Sequence, residues 1–201
     1  MRIVAINGSY RKGRTNDFLI DRAIDGVRSV DPEAEVEKIT LIDRKIEYCK
    51  NCMVCRNDDP AKPIADCVID DDMKEIYPLL ERADGYIIAT PVNMGNVTAV
   101  LKTFLERVCW VLAKPGRRPL PGCPVPRTKR KKRLIVIVSS GLILPVLRRF
   151  CDNATALIKD VGRCSLGTRM VGSLYAGGVE KRGGEYYSGR AHRLGRRLAG
   201  K

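Results

Sequence analysis

Four cysteines in the first third of the chain have a spacing that suits metal or redox chemistry. Cys49, Cys52 and Cys55 form a Cys-x-x-Cys-x-x-Cys motif, and Cys67 follows the polar, acidic insert 56–66. Thiolate sulfur selects iron–sulfur clusters or zinc, and three closely spaced thiolates can each bind one corner of a cubane cluster. The motif therefore indicates a [4Fe–4S] cluster with Cys67 as the fourth ligand. A zinc site, for which this spacing is unusual, and metal-free redox thiols are the open alternatives.

The other cysteines show no ligand spacing. They are Cys109, Cys123, Cys151 and Cys164. Cys109 and Cys151 fall within helical patterns and are predicted to be core thiols, since free cysteine behaves as a small apolar side chain. No stretch approaches the roughly 18 apolar residues of a transmembrane helix, and the N-terminal apolar run is too short for a signal peptide. We therefore expect a cytoplasmic protein without membrane contact, whose thiols are reduced.

The polar loop 8–16 leaves a short apolar strand and enters a helix. A helix N-terminus offers unpaired N–H groups and the positive end of the helix dipole, which together favour an anion. The side chains that add donors are Ser9, Arg11, Thr15 and Asn16. The loop is therefore predicted to bind a phosphate, although its spacing matches neither the P-loop nor the dinucleotide fingerprint. The alternative is a polar turn in which Thr15 is the N-cap.

Two further loops follow apolar strands. The loop after strand 85–90 can present backbone N–H groups to the polar edge of a flat ring, because Pro91 stiffens its start and Gly95 permits close approach. Its residues are Pro91, Val92, Asn93, Met94, Gly95 and Asn96. The alternative is a simple turn in which Asn96 or Thr98 caps the next helix. The third loop, 139–142, contains Ser139 and Gly141 and follows the most apolar strand.

The elements that position these loops alternate along the chain. Strands are predicted at 2–7, 34–41, 85–90, 134–140 and 169–176, and helices at 15–29, 71–82, 96–112, 142–161 and 185–199. Strands separated by helices pair in parallel through right-handed crossovers. This predicts one α/β domain over 1–201, a flavodoxin-like doubly wound five-stranded parallel sheet in a three-layer αβα arrangement. Ligands of such sheets bind beyond the carboxyl ends of the strands, where the three loops lie.

Charge is distributed unevenly between the two parts of the chain. Residues 1–112 carry 16 Lys and Arg against 19 Asp and Glu, whereas 113–201 carry 21 against 4, which gives the net charge of +14. Two loops are long, the cysteine-rich 42–70 and the basic, Pro- and Gly-rich 113–133, whose run 127–133 holds six basic residues. This run is interpreted first as a solvated loop. The alternatives are a site for the NADPH phosphate, for an acidic electron-transfer partner or, least supported because aromatic residues are only 5%, for nucleic acid.

Several motifs, in order, resemble a known family. They are Gly-Ser-x-Arg-Lys-Gly at 8–13, Ala-Thr-Pro-Val-Asn at 89–93 and Val-Thr-Ala-Val-Leu-Lys-Thr-Phe-Leu-Glu-Arg at 97–107. Together they resemble the NAD(P)H-dependent FMN reductase family. The cysteine motif followed by Cys-Val-Ile-Asp-Asp-Asp-Met at 67–73 is similar to the iron–sulfur flavoprotein branch of that family. The resemblance covers residues 1–112 well, and beyond them it is clear only at 134–141.

The resemblance implies a flavodoxin-like fold, bound FMN and a homodimer or homotetramer. It assigns the FMN phosphate to loop 8–16, the isoalloxazine ring to loop 91–96, and the nicotinamide side of the ring to 139–141. The implied function is NAD(P)H-dependent electron transfer through the flavin to a small-molecule or flavin acceptor. The alternative is an electron carrier with a [4Fe–4S] cluster, fed by an acidic, ferredoxin-like donor, and a weaker one is a binding module that has lost its flavin. The single histidine, His192, excludes a His-based catalytic triad.

Overall fold

Strands and helices alternate in the computed structural model, which describes residues 1–116 and 124–200. The strands are β1 (Arg2–Asn7), β2 (Glu35–Thr40), β3 (Gly85–Pro91), β4 (Ala113–Lys114), β5 (Val125–Pro126), β6 (Lys132–Ser140) and β7 (Thr168–Gly177). The α-helices are α1 (Thr15–Arg28), α2 (Val54–Asn57), α3 (Met73–Arg82), α4 (Ala99–Val111), α5 (Arg148–Cys151), α6 (Ala154–Val161), α7 (Val179–Arg182) and α8 (Ser188–Ala199). Short 3₁₀ turns occupy Leu41–Asp43, Pro145–Leu147 and Glu185–Tyr187, and Gly162–Leu166 is π-helical.

Five of the strands form one parallel sheet in the order β2–β1–β3–β6–β7. The predicted flavodoxin-like sheet is therefore confirmed. Because the chain steps from β1 outward to β2 and then returns to the other side of β1 as β3, the direction of winding changes between β1 and β3. The carboxyl ends of these two strands form the crevice where sheets of this type bind ligands.

Apolar side chains fill a layer on each face of the sheet. Leu19 and Ala23 of α1 pack with α8 on one face, whereas Leu101 and Phe104 of α4 pack with α3 and α6 on the other. Strands covered on both faces are apolar at successive positions, and β3 and β6 are buried along nearly their whole length. The helices thus hold the strands in register, and the strand ends fix the loops between them.

Three predicted elements differ in detail. The segment 142–161, predicted as mostly helical, divides into a 3₁₀ turn, α5 and α6, because the Asp152 carboxylate accepts hydrogen bonds from both N and Oγ1 of Thr155 and starts a new helix there. The predicted loop 113–133 contains the antiparallel pair β4–β5. The last helix begins at Ser188 rather than at 185. Cys109 and Cys151 lie in helices α4 and α5 as predicted, but they are half-buried and not in the core. Cys123 lies outside the described residues.

Candidate functional site

The loop after β1 presents an uncapped helix N-terminus. Helix α1 begins at Thr15, and its N-cap residue is Arg14, which makes no side-chain capping bond. The proposed capping role of Thr15 is therefore wrong. The first amides of a helix have no partner within the helix, and here no capping side chain supplies one. Asn16 is buried, and its Oδ1 atom has no hydrogen-bond partner among the described residues.

The predicted donors of loop 8–16 differ in how deeply they are buried. Ser9 is buried and its hydroxyl hydrogen-bonds within the loop, accepting from Arg11 N at 3.1 Å. Arg11 is exposed and its guanidinium is available to an anion at the loop surface. Thr15 is half-buried in the first turn of α1. The arrangement offers backbone amides and an exposed positive charge at one edge, which are the donors that a phosphate requires, whereas the unpartnered Oδ1 atom of Asn16 is an acceptor and suits a hydroxyl donor.

Hydrogen bonds join the first loop to the second. Thr98 Oγ1 donates to the carbonyl oxygen of Gly8 at 2.6 Å and accepts from Leu101 N, which makes Thr98 the N-cap of α4. The Tyr10 hydroxyl accepts from Ala99 N at 3.1 Å. A Cβ atom on Gly8 would lie 2.8 Å from Leu101 Cβ, so only glycine permits this close approach. The proposed capping role of Thr98 is confirmed. Thr98 also anchors loop 8–16.

The second loop forms a tight turn at the surface. Asn93 and Asn96 exchange backbone hydrogen bonds of 2.8 and 2.9 Å, and the residues between them, Met94 and Gly95, have φ values of 48° and 76°. Two successive left-handed residues define a type I′ turn, which favours glycine and is unusual for methionine. The Met94 side chain is fully exposed, at 103%. An exposed apolar side chain on a rigid turn beside the crevice is suited to contact a flat ring.

The third loop is tied to the second. Val92 N donates to the carbonyl oxygen of Ser139 at 2.8 Å, and Pro91 and Ser139 are paired in the β3–β6 register. A Cβ atom on Gly141 would overlap the carboxylate of Glu180 at the start of α7. All three predicted loops therefore meet at one edge of the sheet. That each residue contacts a cofactor stays a prediction. The uncapped helix fits the phosphate of FMN, and the unpartnered Oδ1 atom of Asn16 can accept from a hydroxyl of the neighbouring ribityl chain.

Removing the positive charge from this loop is expected to weaken FMN binding. Arg11→Ala deletes an exposed charge-assisted donor without disturbing any packed contact, so the protein should fold normally and lose roughly tenfold or more in FMN affinity. Fluorescence titration of the apoprotein with FMN and with riboflavin, which lacks the phosphate, measures the effect. Riboflavin affinity should be unchanged. An equal loss for both flavins would show that Arg11 does not act through the phosphate.

The four motif cysteines line one small cavity beside α4. Cys49 and Cys52 are exposed, Cys55 and Cys67 are half-buried, and Trp110 of α4 forms part of the wall. Burial, together with the neighbouring thiols, raises the pKa of Cys55 to about 11, so this thiol is protonated at neutral pH unless a cation replaces its proton. In residues 1–116 and 124–200, no three His, Cys, Asp or Glu side chains are close enough together to hold a metal ion. Metal binding would therefore require the thiols to lie closer together than they do here.

The insert before Cys67 is a folded loop that keeps Cys55 and Cys67 on the same cavity. The Asp58 carboxylate accepts from Asp66 N at 2.7 Å and pairs with Lys62, and the hydrogen bond from Asp66 lowers the pKa of Asp58 to about 2. The side chain of Arg127 holds this loop in place through hydrogen bonds. Its guanidinium donates to the carbonyl oxygens of Cys55, Asp59, Lys62 and Ala113. The unusual eleven-residue spacing is thus compatible with a shared site.

A buried ion pair supports the cavity from the side of α4. The side chains of Arg107 and Asp71 are 1% and 0% exposed, and Arg107 Nη2 lies 3.6 Å from Cys67 Sγ. Arg107 Nη1 also donates to the carbonyl oxygen of Glu47 at 2.8 Å. Burial opposes ionisation of Asp71, but the hydrogen bonds from Arg107 and from two backbone amides prevail and lower its pKa. The pair therefore places a fixed positive group beside the thiol of Cys67.

The basic run 127–133 is solvated only in part, because Lys129, Arg130 and Lys131 are exposed as expected but two other members are buried. Arg127 is 7% exposed and Lys132 is 2% exposed, and Lys132 Nζ donates to the carbonyl oxygens of Leu80 and Glu81 at the end of α3. Burial lowers the pKa of Lys132 to about 8. Ser139 lies seven steps along β6 from Lys132, about 23 Å at the usual rise per residue. The run is therefore far from the edge where the three loops meet, which we call the flavin-type edge. This position disfavours a role in binding the NADPH phosphate there.

Sequence reasoning missed three residues that organise the site, and it missed the contact of Thr98 with the first loop. Tyr10 and Arg107 lie within or next to the motifs, but their partners are 30 or more positions away along the chain. Arg127 was hidden in a run of similar basic residues. A signal existed for Arg107 alone, because an arginine at the apolar spacing of α4 must be buried with a partner.

The sheet order and the crevice between β1 and β3 define a flavodoxin-like α/β protein. A family model described as NADPH-dependent FMN reductase matches residues 1–142, and the chain belongs to this family. An iron–sulfur flavoprotein of Methanosarcina thermophila is 38% identical over 107 residues, which cover 53% of this chain and 52% of that protein. The chain thus spans about half the length of the curated relatives it matches.

Solved structures share the fold over the whole chain. An NAD(P)H:quinone oxidoreductase from Methanothermobacter marburgensis superposes with a TM-score of 0.72 at 16% identity and covers 98% of both chains. An FMN-dependent NADH-azoreductase from Bacillus anthracis, solved in complex with FMN, gives 0.68 at 14% identity and covers 100% of both. The predicted family and fold are confirmed by these similarities. No helix within the described ranges has the length and apolar character needed to cross a membrane.

Proposed function

We propose that the protein is an FMN-binding, NAD(P)H-dependent oxidoreductase that delivers electrons to a small-molecule or flavin acceptor. The observation that carries this proposal is the uncapped first turn of α1 beside the exposed Arg11 at the crevice edge, where the unpartnered Oδ1 atom of buried Asn16 can accept from a hydroxyl of the ribityl chain. Bound FMN supplies the hydride and electron chemistry. Loop 8–16 binds the phosphate, the turn at Asn93–Asn96 lies against the ring, and 139–141 borders the face that a nicotinamide would approach. Hydride transfer itself requires no acid or base from the protein.

The test begins with the cofactor retained on purification. We expect FMN at about one equivalent, and reduction of this flavin by NADPH or NADH when the two are mixed without oxygen. Steady-state oxidation of each nucleotide with free flavin or a quinone as acceptor then identifies the acceptor class. A protein that retains no flavin when FMN is added, or whose flavin neither nucleotide reduces, contradicts the proposal.

A second candidate function rests on the cysteine cavity. We propose that Cys49, Cys52, Cys55 and Cys67 bind a [4Fe–4S] cluster, so that the protein carries electrons between an acidic, ferredoxin-like donor and the flavin. Two observations favour it: the four thiols share one cavity, and Arg107 stands beside Cys67, where it can hydrogen-bond a cluster-bound sulfur. The basic second part of the chain suits an acidic partner. We also propose that the protein assembles as a homodimer or a homotetramer.

Metal analysis of protein purified without oxygen separates the alternatives for this cavity. We expect about four iron and four sulfide per chain, and a broad absorption that bleaches on reduction. Cys67→Ser should lose the iron and keep its FMN, whereas Cys109→Ser, which changes a half-buried cysteine outside the motif, should keep both. Stoichiometric zinc, or thiols without metal, would exclude the cluster.

A further inference from the structure

A large cavity lies at the end of the sheet opposite the flavin-type edge. Its volume is about 1230 Å³, and it is bordered by the first residues of β6 and β7, by the π-helical segment and by α8. Six basic side chains that line it define what we call the basic groove: Lys131, Arg163, Arg169, Arg193, Arg196 and Arg197. Among the described residues that line the cavity, none is acidic or aromatic. The proposed flavin and cysteine sites use none of these six residues.

Most of these charges have no carboxylate partner among the described residues. Within residues 1–116 and 124–200, Lys131, Arg169 and three arginines of α8, at 193, 196 and 197, form no ion pair with a carboxylate. The segment 117–123 contains no Asp or Glu. By contrast, Arg133 beside them donates to the carbonyl oxygen of Leu198 and is part of the fold. Converging unpaired cations repel one another, and a bound anion would relieve this repulsion.

The geometry of the basic groove favours phosphates. Arg193, Arg196 and Arg197 lie three and four residues apart on one side of α8, and Arg169 and Lys131 approach from β7 and from the residue before β6. Guanidinium groups bind phosphate oxygens in a bidentate manner, and several of them around one cavity suit several phosphates. Nucleic-acid strand sites add aromatic side chains on which bases stack, and none lines this cavity. Recognition here would depend on the charge of the ligand.

We propose that the basic groove binds an anion with several linked phosphates, such as inorganic polyphosphate or the phosphate chain of a nucleoside triphosphate. Like charge excludes a second copy of the same surface as its occupant. Because the groove lies about 23 Å along β6 from the flavin-type edge, its ligand is not the flavin substrate. The anion and FMN would therefore bind at the same time, each at its own site.

Calorimetry on FMN-loaded protein at 0.15 M salt tests the proposal, with sodium tripolyphosphate as the probe. We expect one saturable site, and Arg196→Glu should weaken binding at least about tenfold by placing a carboxylate among the phosphates. Arg149→Glu, the same change on exposed α5 at the other end of the sheet, should alter the affinity less than about twofold because salt screens distant charge. Far-UV circular dichroism reports whether each variant is folded.

Two further titrations identify the source of the phosphates. Equal affinity for ATP and tripolyphosphate indicates recognition of the phosphate chain alone, and tighter binding of ATP indicates a nucleotide. Three results would overturn the proposal: no tripolyphosphate binding at millimolar concentration, equal weakening by the two variants, or binding of a thymidine 20-mer without binding of tripolyphosphate.

Discussion

Arg107→Leu is expected to destabilise the protein by about 3–5 kcal/mol, because it leaves the Asp71 carboxylate buried without its counter-ion. The same change removes the hydrogen bonds to the Glu47 carbonyl and to Cys67, which hold both ends of the cysteine segment against α4. Urea unfolding of the FMN-loaded protein measures the free energy of unfolding. The cysteine segment should also become less ordered as the protein becomes less stable.

An exposed ion pair provides the control for this experiment. Arg2→Leu makes the identical substitution in a pair with Glu35 whose side chains are 57% and 74% exposed, and it should cost less than about 1 kcal/mol. If the two variants are equally stable, the buried pair does not have the assigned role.

The lowered pKa of Asp71 determines the direction in which the stability of the protein changes with pH. Its carboxyl releases its proton more easily in the folded protein than in the unfolded chain. The stability from this group is therefore complete above the ordinary Asp pKa of about 3.9 and is lost as the pH falls through the lower folded value. The Arg107→Leu variant should show a smaller loss over this acidic range.

Alanine at Gly26 or Gly195 is expected to be the second strongly damaging change. Where α1 crosses α8, a Cβ atom on Gly26 would overlap the carbonyl oxygen of His192, and one on Gly195 would overlap that of Ala23. Alanine favours a helix by roughly 1 kcal/mol over glycine, but the helices would have to separate. We expect a net destabilisation of about 1–3 kcal/mol, measured as a lower midpoint in urea.

Gly189→Ala makes the same change near the start of α8, where the nearest atom to a new Cβ is 3.6 Å away on the flexible Arg193 side chain. This variant should be stabilised by about 0.5–1 kcal/mol. Opposite signs for Gly189 and Gly195 would establish that helix contact, rather than helix propensity, decides the outcome. Destabilisation by both substitutions would contradict this explanation.

Local sequence patterns sufficed for the sheet and for the edge where the candidate site lies. The apolar runs in β3 and β6 identify strands buried on both faces, and the alternation with helices requires parallel pairing. Once the strands are parallel, loops 8–16, 91–96 and 139–142 must meet at their carboxyl ends. These inferences succeed because periodicity and chain connectivity are properties of neighbouring residues.

Other features depend on contacts between residues far apart in the chain, which a single sequence does not display. Arg127 and Lys132 look like members of a solvated basic run, yet both are buried, because carbonyl groups at the cysteine loop and at the end of α3 need donors. Gly26 and Gly195 look like ordinary helix glycines until α1 and α8 cross.

The sequence alone therefore determined the family resemblance, the order of the elements and the residue types of the candidate site. Only the tertiary structure decided which charges are internal, which glycines are obligatory and which cations remain unpaired in the basic groove. The physical reason is that burial and ion pairing depend on the three-dimensional neighbours of a side chain. Those neighbours are set when the helices pack against the sheet.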